Sequence, residues 1–323
     1  MHDAMPQPAA PGAMGTKPDW RFDRLPRPDG GHLRLGHWPE PARPRGTVLV
    51  LTGRCECVEK FAETAADLAA RGFRVVSMDW RGQGGSSRFL EHSHRGHAPD
   101  FETLLDDLDA AIPALLPADS PRPWLVLAHS MGGHLTLRHV LERDHVFDGV
   151  ILSAPMLGIC TPLPEPFIHH VAKTMVANGH AGDYAIGQTD WRLELDPFEG
   201  NPFTSDPVRY RVLHDIYTAN PELALGGVTW GWLDAAYRSM AHVMRHEGLK
   251  RCQTPVLILS AGKDRVVPPG RHRKIAGLLP RGTLRLYPSA RHELLMERDE
   301  VRRQVWADID RWLEASIGLR AAG

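Results

Sequence analysis

Apolar residues recur along the chain in two alternating patterns from residue 31 onward. Short runs such as GTVLVLT at 46–52 and FRVVSMD at 73–79 are typical of strands that are buried on both faces. Between such runs, the segments 58–69 and 101–115 carry apolar residues every three or four positions, which predicts amphipathic helices. Strands that alternate with helices indicate a largely parallel sheet with helices on both faces. The predicted fold class is therefore α/β.

The same alternation predicts five more strands and one interruption. The strands are expected at 32–38, 123–129, 147–155, 255–262 and 282–289. Between 160 and 249 the rhythm stops, and prolines, aromatic residues and short helical stretches replace it. A helical block inserted at this point is expected to cover the carboxyl ends of the strands, where ligands bind in open α/β sheets.

This pattern divides the chain into three parts. We expect an α/β core formed by residues 19–159 and 250–320, with a helical cap at 160–249. Residues 1–18 are rich in proline, alanine and glycine and carry no strand or helix pattern, which predicts a disordered tail.

Composition narrows the possible partners and compartments. The 323 residues include 38 basic and 39 acidic side chains, a balance that does not favour nucleic acid. The four cysteines are scattered rather than spaced as a disulfide framework, which fits a reducing compartment. Because the chain has neither a secretory signal nor an apolar run long enough to span a bilayer, we expect a cytoplasmic protein. Any membrane contact is expected to be peripheral, through the cap, and the oligomeric state is left open.

The stretch WLVLAHSMGGH at 124–134 places a serine where a predicted strand meets a predicted helix. Ser130 lies two residues after Ala128 and two before Gly132, and small residues at these positions permit a sharp, strained turn. The pattern is that of a nucleophile elbow, G-x-S-x-G, with alanine in place of the first glycine. Such a turn presents the hydroxyl at a helix N-terminus, where negative charge is favoured. Ser130 is therefore the predicted nucleophile.

A serine nucleophile needs a base, and the base needs an acid that orients it. Downstream, AGKDRVVPP presents Asp264 after one predicted strand, and RHELLMERDE presents His292 after the next. The chain order Ser, Asp, His is the order expected for a serine on such an elbow. We predict that His292 acts first as general base and then as general acid, and that Asp264 orients its imidazole.

Two backbone N–H groups are expected to bind the oxyanion of the acyl intermediate. One is that of Met131, which follows the nucleophile, and the other is that of Arg54, in the loop after the strand GTVLVLT. In the cap, Trp191, Trp230 and Trp232 are candidates to line an acyl-chain tunnel, the alternative being that some of them are cap core. No metal or cofactor is predicted.

Five segments together resemble one branch of the α/β-hydrolases, the bacterial lysophospholipases and monoacylglycerol lipases that are sometimes labelled serine aminopeptidase-like. The segments, within residues 20–318, are LTGRCECVEKFAETAADLAARGFRVVSMDWRGQGGSSR, GHAPDFETLLDDL, AHSMGG, AGKDRVVPP and RHELLMERDEVR. The resemblance implies an α/β-hydrolase fold and cofactor-free hydrolysis of a carboxylic ester, with a lysophospholipid or monoacylglycerol as substrate.

Two positions need comment in the light of this resemblance. The relatives often begin the oxyanion loop with His-Gly, whereas this chain has Thr52-Gly53. Glu56 matches an acidic residue that can meet the glycerol head in monoacylglycerol lipases, and the alternative for Glu56 is a solvated surface position.

Three other functions compete with ester hydrolysis. Acyl transfer and peptide cleavage would use the same three residues. A non-catalytic receptor with a hydrolase fold would often lack one of them, and here all three are present. Dehalogenase or epoxide hydrolase chemistry needs a carboxylate at the elbow, which Ser130 does not supply.

Overall fold

An eight-stranded sheet forms the centre of the protein in the computed structural model, which describes residues 20–143 and 146–319. The predicted disordered tail at 1–18 lies outside the described residues. The strands are β1 (Arg21–Pro26), β2 (His32–His37), β3 (Thr47–Leu51), β4 (Arg74–Met78), β5 (Trp124–His129), β6 (Gly149–Ser153), β7 (Val256–Ala261) and β8 (Gly282–Tyr287).

The strands lie in the order β1-β2-β4-β3-β5-β6-β7-β8. The pairs β1–β2 and β2–β4 are antiparallel, and every other pair is parallel. The structure thus confirms the predicted α/β fold with a mostly parallel sheet. The parallel strands β3, β5, β6 and β7 are buried at every position, as their continuous apolar runs indicate.

The sequence analysis did not find β1. This strand reads RFDRLP and none of its six residues is buried, so it has no apolar periodicity to detect. It lies at the edge of the sheet, where β2 is its only neighbouring strand among the described residues. An edge strand facing solvent needs few apolar residues, because it pairs with a neighbour on one side only and water can reach its other side.

Helices cover both faces of the sheet. They are α1 (Ala62–Ala70), α2 (Glu102–Leu115), α3 (Ser130–Glu142), α4 (Glu165–Ala177), α5 (Pro207–Ala219), α6 (Trp230–Arg245), α7 (Pro269–Leu278) and α8 (Asp299–Trp312). Helices α2, α3 and α7 contribute Leu104, Leu135 and Ile275 to one apolar core, whereas α1 and α8 contribute Leu68 and Ile309 to another. The sheet therefore lies between two helical layers.

The segment between β6 and β7 contains α4, α5 and α6 and, within its described residues, no strand of the sheet. Helix α4 packs against α6, and Trp230, Trp232 and Tyr237 of α6 join the core that also contains α2 and α3. This segment thus adds helices at the place where the sequence pattern predicts a cap. Within the described residues, none of the helices has the length and the apolar content that crossing a bilayer would require.

Helix α3 begins in close contact with the end of β3. A Cβ atom at Gly132 would overlap the backbone carbonyl oxygen of Thr52 and would lie 2.9 Å from that of Leu51. Only glycine permits this approach, because backbone atoms cannot move aside as a flexible side chain can. The contact brings the N-terminus of α3 against the loop that follows β3.

We expect Gly132→Ala to lower the free energy of unfolding by about 1–3 kcal/mol, because the added methyl group overpacks a backbone contact. Urea or thermal unfolding measures this change. Gly277→Ala in α7 is the matched control, since a Cβ at Gly277 meets no atom within 4 Å. The control is expected to have an unfolding midpoint, in urea concentration or in temperature, at least as high as that of the parent protein. Equal destabilisation by both substitutions would contradict the packing argument.

Candidate active site

Ser130 occupies a strained turn between β5 and α3. Its φ of +49° lies in the left-handed region, which residues other than glycine seldom adopt. The turn is held from the far side by a hydrogen bond from the Met156 N–H to the Ser130 carbonyl oxygen, at 2.9 Å. Ser130 lies at the wall of a cavity with its hydroxyl at the N-terminus of α3. The geometry is that of the nucleophile elbow that the sequence pattern predicts.

The structure brings Ser130, His292 and Asp264 together. His292 Nε2 lies 3.0 Å from Ser130 Oγ, and His292 Nδ1 lies 2.8 Å from Asp264 Oδ2. The loops after β7 and β8 deliver Asp264 and His292 respectively, and β5 delivers Ser130. Because these strands are parallel, their carboxyl ends share one edge of the sheet, where the three side chains meet. This arrangement allows a proton to pass from the serine hydroxyl to the imidazole.

Asp264 is held in its ionised state. Burial alone would raise the pKa of its carboxyl, but the hydrogen bond and charge of His292 and the backbone N–H groups of Val266 and Val267 lower it below the ordinary value. Those two N–H groups donate to Asp264 Oδ1 at 2.8 and 2.9 Å. The second oxygen is thereby free to accept from His292 Nδ1, which fixes the tautomer that leaves Nε2 able to accept the serine proton.

A second histidine, His129, packs against His292 with their ring centroids 4.8 Å apart. Its Nδ1 donates to the Ser153 carbonyl oxygen at 3.1 Å. Burial, reinforced by the neighbouring His292, lowers the pKa of His129 to about 3. His129 is therefore neutral near pH 7, and it adds no positive charge that would oppose protonation of His292.

The loop after β3 approaches the nucleophile closely. A Cβ atom at Gly53 would lie 3.2 Å from Ser130 Cβ. The Gly53 N–H donates to Glu56 Oε2, and the Cys55 N–H donates to Gln83 Oε1 at 3.2 Å. No acceptor in the described chain engages the N–H of Arg54, which lies between them. The Arg54 N–H is therefore available to donate a hydrogen bond to an oxyanion.

The second predicted donor is the N–H of Met131. Met131 is the second residue of α3, and N–H groups in the first turn of a helix have no carbonyl partner within the helix. The helix dipole adds partial positive charge at this end. The N–H groups of Arg54 and Met131 are therefore both available as donors, and their binding of an oxyanion stays a prediction.

Two residues that the sequence analysis did not single out brace this oxyanion loop. Trp80 Nε1 donates to the Thr52 carbonyl oxygen at 2.9 Å, and Gln83 Nε2 donates to the Gly53 carbonyl oxygen at 2.6 Å. Both lie in the segment DWRGQGG, whose glycines indicate only a tight turn. The contacts join positions about 30 residues apart in sequence, and only the pairing of β3 with β4 brings them together.

Glu56 is buried, so the alternative of a solvated surface position is wrong. Its side chain retains 4% of its exposure, and Lys60 Nζ lies 2.7 Å from both Glu56 Oε1 and Glu293 Oε1. Burial alone would lower the pKa of Lys60, but the two carboxylates outweigh it and raise that pKa above its ordinary value. One buried cation thus joins the oxyanion loop to the residue after His292.

Among the described residues, two clusters of side chains have the spacing of metal ligands. In the first, Glu56, His129 and Glu293 bring ligand atoms within 4.8 Å of one another, but the Lys60 ammonium already lies between the two carboxylates. The second consists of Glu142, His242 and His246. Arg138 binds both oxygens of Glu142, which disfavours a second cation there.

Ser130 and His292 open onto an apolar cavity of about 670 Å³. Its wall includes Met156, Ile159, Leu163, Phe167, Ile168, Val171, Ile186, Val228, Trp230, Trp232 and Leu233. Trp230 and Trp232 therefore occupy the place predicted for them. The third predicted tryptophan, Trp191, does not reach this cavity. It lines a neighbouring cavity of about 320 Å³.

Comparison with known proteins places the chain in a family. Residues 42–299 match the Hydrolase_4 family, described as serine aminopeptidase, S33. Lysophospholipase L2 of Escherichia coli K12 is 34% identical over 266 residues, which cover 79% of this chain and 76% of that protein. Monoglyceride lipase of Mus musculus is 24% identical over 91% of both chains.

A solved structure has the same fold. A soluble variant of monoglyceride lipase from Saccharomyces cerevisiae, in complex with a substrate analogue, superposes with a TM-score of 0.72 at 22% identity. The match covers 95% of this chain and 99% of that chain. These similarities confirm the resemblance that the sequence segments indicate. The chain belongs to the Hydrolase_4 (serine aminopeptidase, S33) family, and it is a carboxylic ester hydrolase with the α/β-hydrolase fold.

Proposed function

We propose that the protein cleaves the acyl ester of a lysophospholipid or a monoacylglycerol through an acyl-enzyme formed on Ser130. The observation that carries this proposal is the series of hydrogen bonds from Ser130 through His292 to Asp264 at the wall of the apolar cavity. A cavity of about 670 Å³ lined by aliphatic and aromatic side chains suits a single acyl chain. The similarity to lysophospholipase L2 over most of both chains supports the same substrate class.

In the first half of the proposed cycle, Ser130 Oγ attacks the ester carbonyl carbon while His292 Nε2 takes the hydroxyl proton. The oxyanion forms between the N–H groups of Arg54 and Met131. Each such donor contributes roughly 3 kcal/mol to stabilisation of the transition state. The imidazolium, stabilised by Asp264, then gives its proton to the leaving alcohol oxygen, and the acyl-enzyme remains.

In the second half, water enters and His292 removes one of its protons as the water oxygen attacks the acyl carbon. The same two N–H groups hold the second oxyanion. When it collapses, His292 returns the proton to Ser130 Oγ and the fatty acid leaves. The neutral state of His129 helps in both halves, because a charged neighbour would destabilise the imidazolium.

The apolar lining favours this reading over the peptidase alternative, since a peptide backbone buried there would leave polar groups without partners. The presence of all three residues within hydrogen-bonding distance argues against a non-catalytic receptor.

We further propose that residues 160–249 act as a cap that meets the lipid surface. Leu163, Phe167 and Ile186 are exposed at the cavity rim, at 49%, 53% and 85%. Exposed apolar side chains at a cavity mouth are typical of contact with lipid. A cytoplasmic location with peripheral contact at the inner membrane face belongs to the same proposal, and the four unpaired cysteines support it.

Ser130→Ala is expected to abolish labelling by a fluorophosphonate and to lower ester hydrolysis by about 10⁴-fold or more, because no other group replaces the nucleophile. Mass spectrometry of the labelled protein and turnover of a p-nitrophenyl ester measure these effects. Ser93→Ala, at an exposed loop serine, is the control and is expected to keep both. Unchanged turnover in Ser130→Ala would reject the mechanism.

The acid limb of the pH profile of kcat/KM is expected to have a slope of one on logarithmic axes. The pKa of Asp264 is lowered and that of His129 is about 3, so neither group gains a proton between pH 8 and 5. Neither of these two groups therefore adds a second protonation to the acid limb, and the general base alone must be neutral to accept the serine proton. A slope of two would mean that a second essential group titrates in this range.

Replacing Phe167 and Ile186 together by serine is expected to lower turnover of lysophospholipid micelles at least about fivefold, because apolar surface at the rim is lost. Turnover of a water-soluble short-chain ester should change less than twofold. Val208→Ser, which alters an exposed valine of α5 outside the rim, is the control. An equal loss on both substrates would assign these residues to catalysis or folding rather than to lipid contact.

A further inference from the structure

A second cavity of about 320 Å³ adjoins the one that holds Ser130, and more charged side chains line it. The two cavities share Arg54, Glu56, Gln188, Phe203 and Glu293, so they meet beside the oxyanion loop and the residue after His292. An ester of a lipid alcohol has an apolar acyl half and a polar alcohol half. Two adjoining cavities, one mainly apolar and one with more charged side chains, match the two halves of such a molecule.

Two arginines, Arg54 and Arg192, line this cavity, and the charge of Arg192 acts on the carboxylate of Asp190. Neither Arg54 nor Arg192 has a carboxylate oxygen within 4.0 Å among the described residues. Arg54 makes one hydrogen bond, from Nη1 to the Gly226 carbonyl oxygen at 3.2 Å, and its guanidinium lies 5.7 Å from the ring centroid of Trp232. The remaining guanidinium N–H groups are donors that suit the oxygens of a phosphate.

Among the carboxylates of this wall, Asp190 and Asp196 accept hydrogen bonds from tyrosines, and His214 Nε2 also lies 3.0 Å from Asp196 Oδ2. Tyr184 donates to Asp190 at 2.6 Å, and Tyr210 donates to Asp196 at 2.7 Å. These bonds hold the carboxylates in place and leave them charged: the hydrogen bond from Tyr184 lowers the pKa of Asp190, and the hydrogen bond from His214 lowers that of Asp196.

The aromatic side of the cavity is formed around Trp191. Its ring packs edge-on against Tyr217 with centroids 5.3 Å apart. An indole face beside ionised carboxylates is a common setting for an ammonium group. The cavity therefore offers both an anion-binding side and a cation-binding side.

We propose that this cavity binds the zwitterionic glycerophospho head group of a lysophospholipid, with the phosphate at Arg54 and Arg192 and the ammonium near Asp190, Asp196 and Trp191. The inference rests on the proposed ester hydrolysis at Ser130 and selects the lysophospholipid from the two substrate classes named there. A neutral glycerol would offer neither arginine an anion. A head group without an ammonium would bring no cation to the carboxylates of Asp190 and Asp196.

The test compares substrates that share one acyl chain, presented in the same detergent micelles. These are a lysophosphatidylethanolamine, a lysophosphatidic acid and a monoacylglycerol. For the parent protein, Arg192→Gln and Arg54→Gln, the measured quantity is the ratio of kcat/KM for lysophosphatidylethanolamine to that for monoacylglycerol. Each substitution is expected to lower this ratio about tenfold, the effect of losing one hydrogen bond to a charged group. Arg273→Gln, at an exposed arginine of α7, is the control and is expected to leave the ratio unchanged.

A second variant tests the ammonium side. Asp190→Asn keeps an acceptor for Tyr184 but removes the charge, so it is expected to shift preference from lysophosphatidylethanolamine toward lysophosphatidic acid about fivefold. Ratios that stay constant in Arg192→Gln and Asp190→Asn, in a protein that still hydrolyses these esters, would overturn the head-group assignment and leave the proposed hydrolysis intact. A parent protein that cleaves none of the three would instead refute the ester hydrolysis itself.

Discussion

The strained backbone of Ser130 is the constraint on which the rest of the site depends. A left-handed residue where β5 meets α3 forms a sharp turn, and α3 begins against the backbone that leaves β3. Gly132 and Gly53 permit this contact, so the predicted nucleophile and the predicted oxyanion donors are brought together by chain packing. The parallel sheet then supplies the other two residues, since the loops after β7 and β8 leave from the same edge. Catalytic geometry is thus a consequence of strand direction and of two positions where a side chain would not fit.

Buried charge organises the surroundings of that turn. Lys60 joins Glu56 of the oxyanion loop to Glu293 of the histidine loop, in a place where water is scarce and an unpaired charge would be costly. One ammonium between two carboxylates leaves a net negative charge, and this lies close to the imidazole that becomes positive during the reaction. The same low dielectric keeps His129 neutral. Burial and the neighbouring carboxylates therefore both favour the charge states that the proposed mechanism needs, namely a neutral His129 and an imidazolium that forms during the reaction.

Much of the fold and of the candidate site could be predicted from the amino-acid sequence, and the features that were missed share a cause. Continuous apolar runs predict the buried parallel strands, and strand ends followed by serine, aspartate and histidine predict which side chains meet. Edge strand β1 left no such trace because its residues are not buried. The burial of Glu56 and the bracing by Gln83 were missed because both depend on contacts with residues distant in sequence. Taken alone, a charged or polar residue is expected to face solvent. Trp191 was placed with the acyl chain because it is an aromatic residue of the predicted cap, whereas it packs with Tyr217, Leu213 and Ile216 in a separate apolar cluster.

The junction of the two cavities at Glu56 and Glu293 has a consequence for the timing of events in the proposed cycle. After the first chemical step the alcohol is no longer covalently attached, while the acyl group stays bound to the enzyme in the apolar cavity. The polar compartment can then empty on its own, and it becomes the hydrated route by which the second nucleophile reaches the acyl carbon. The two products would depart in a fixed sequence, alcohol before acid, and each would leave through a different cavity.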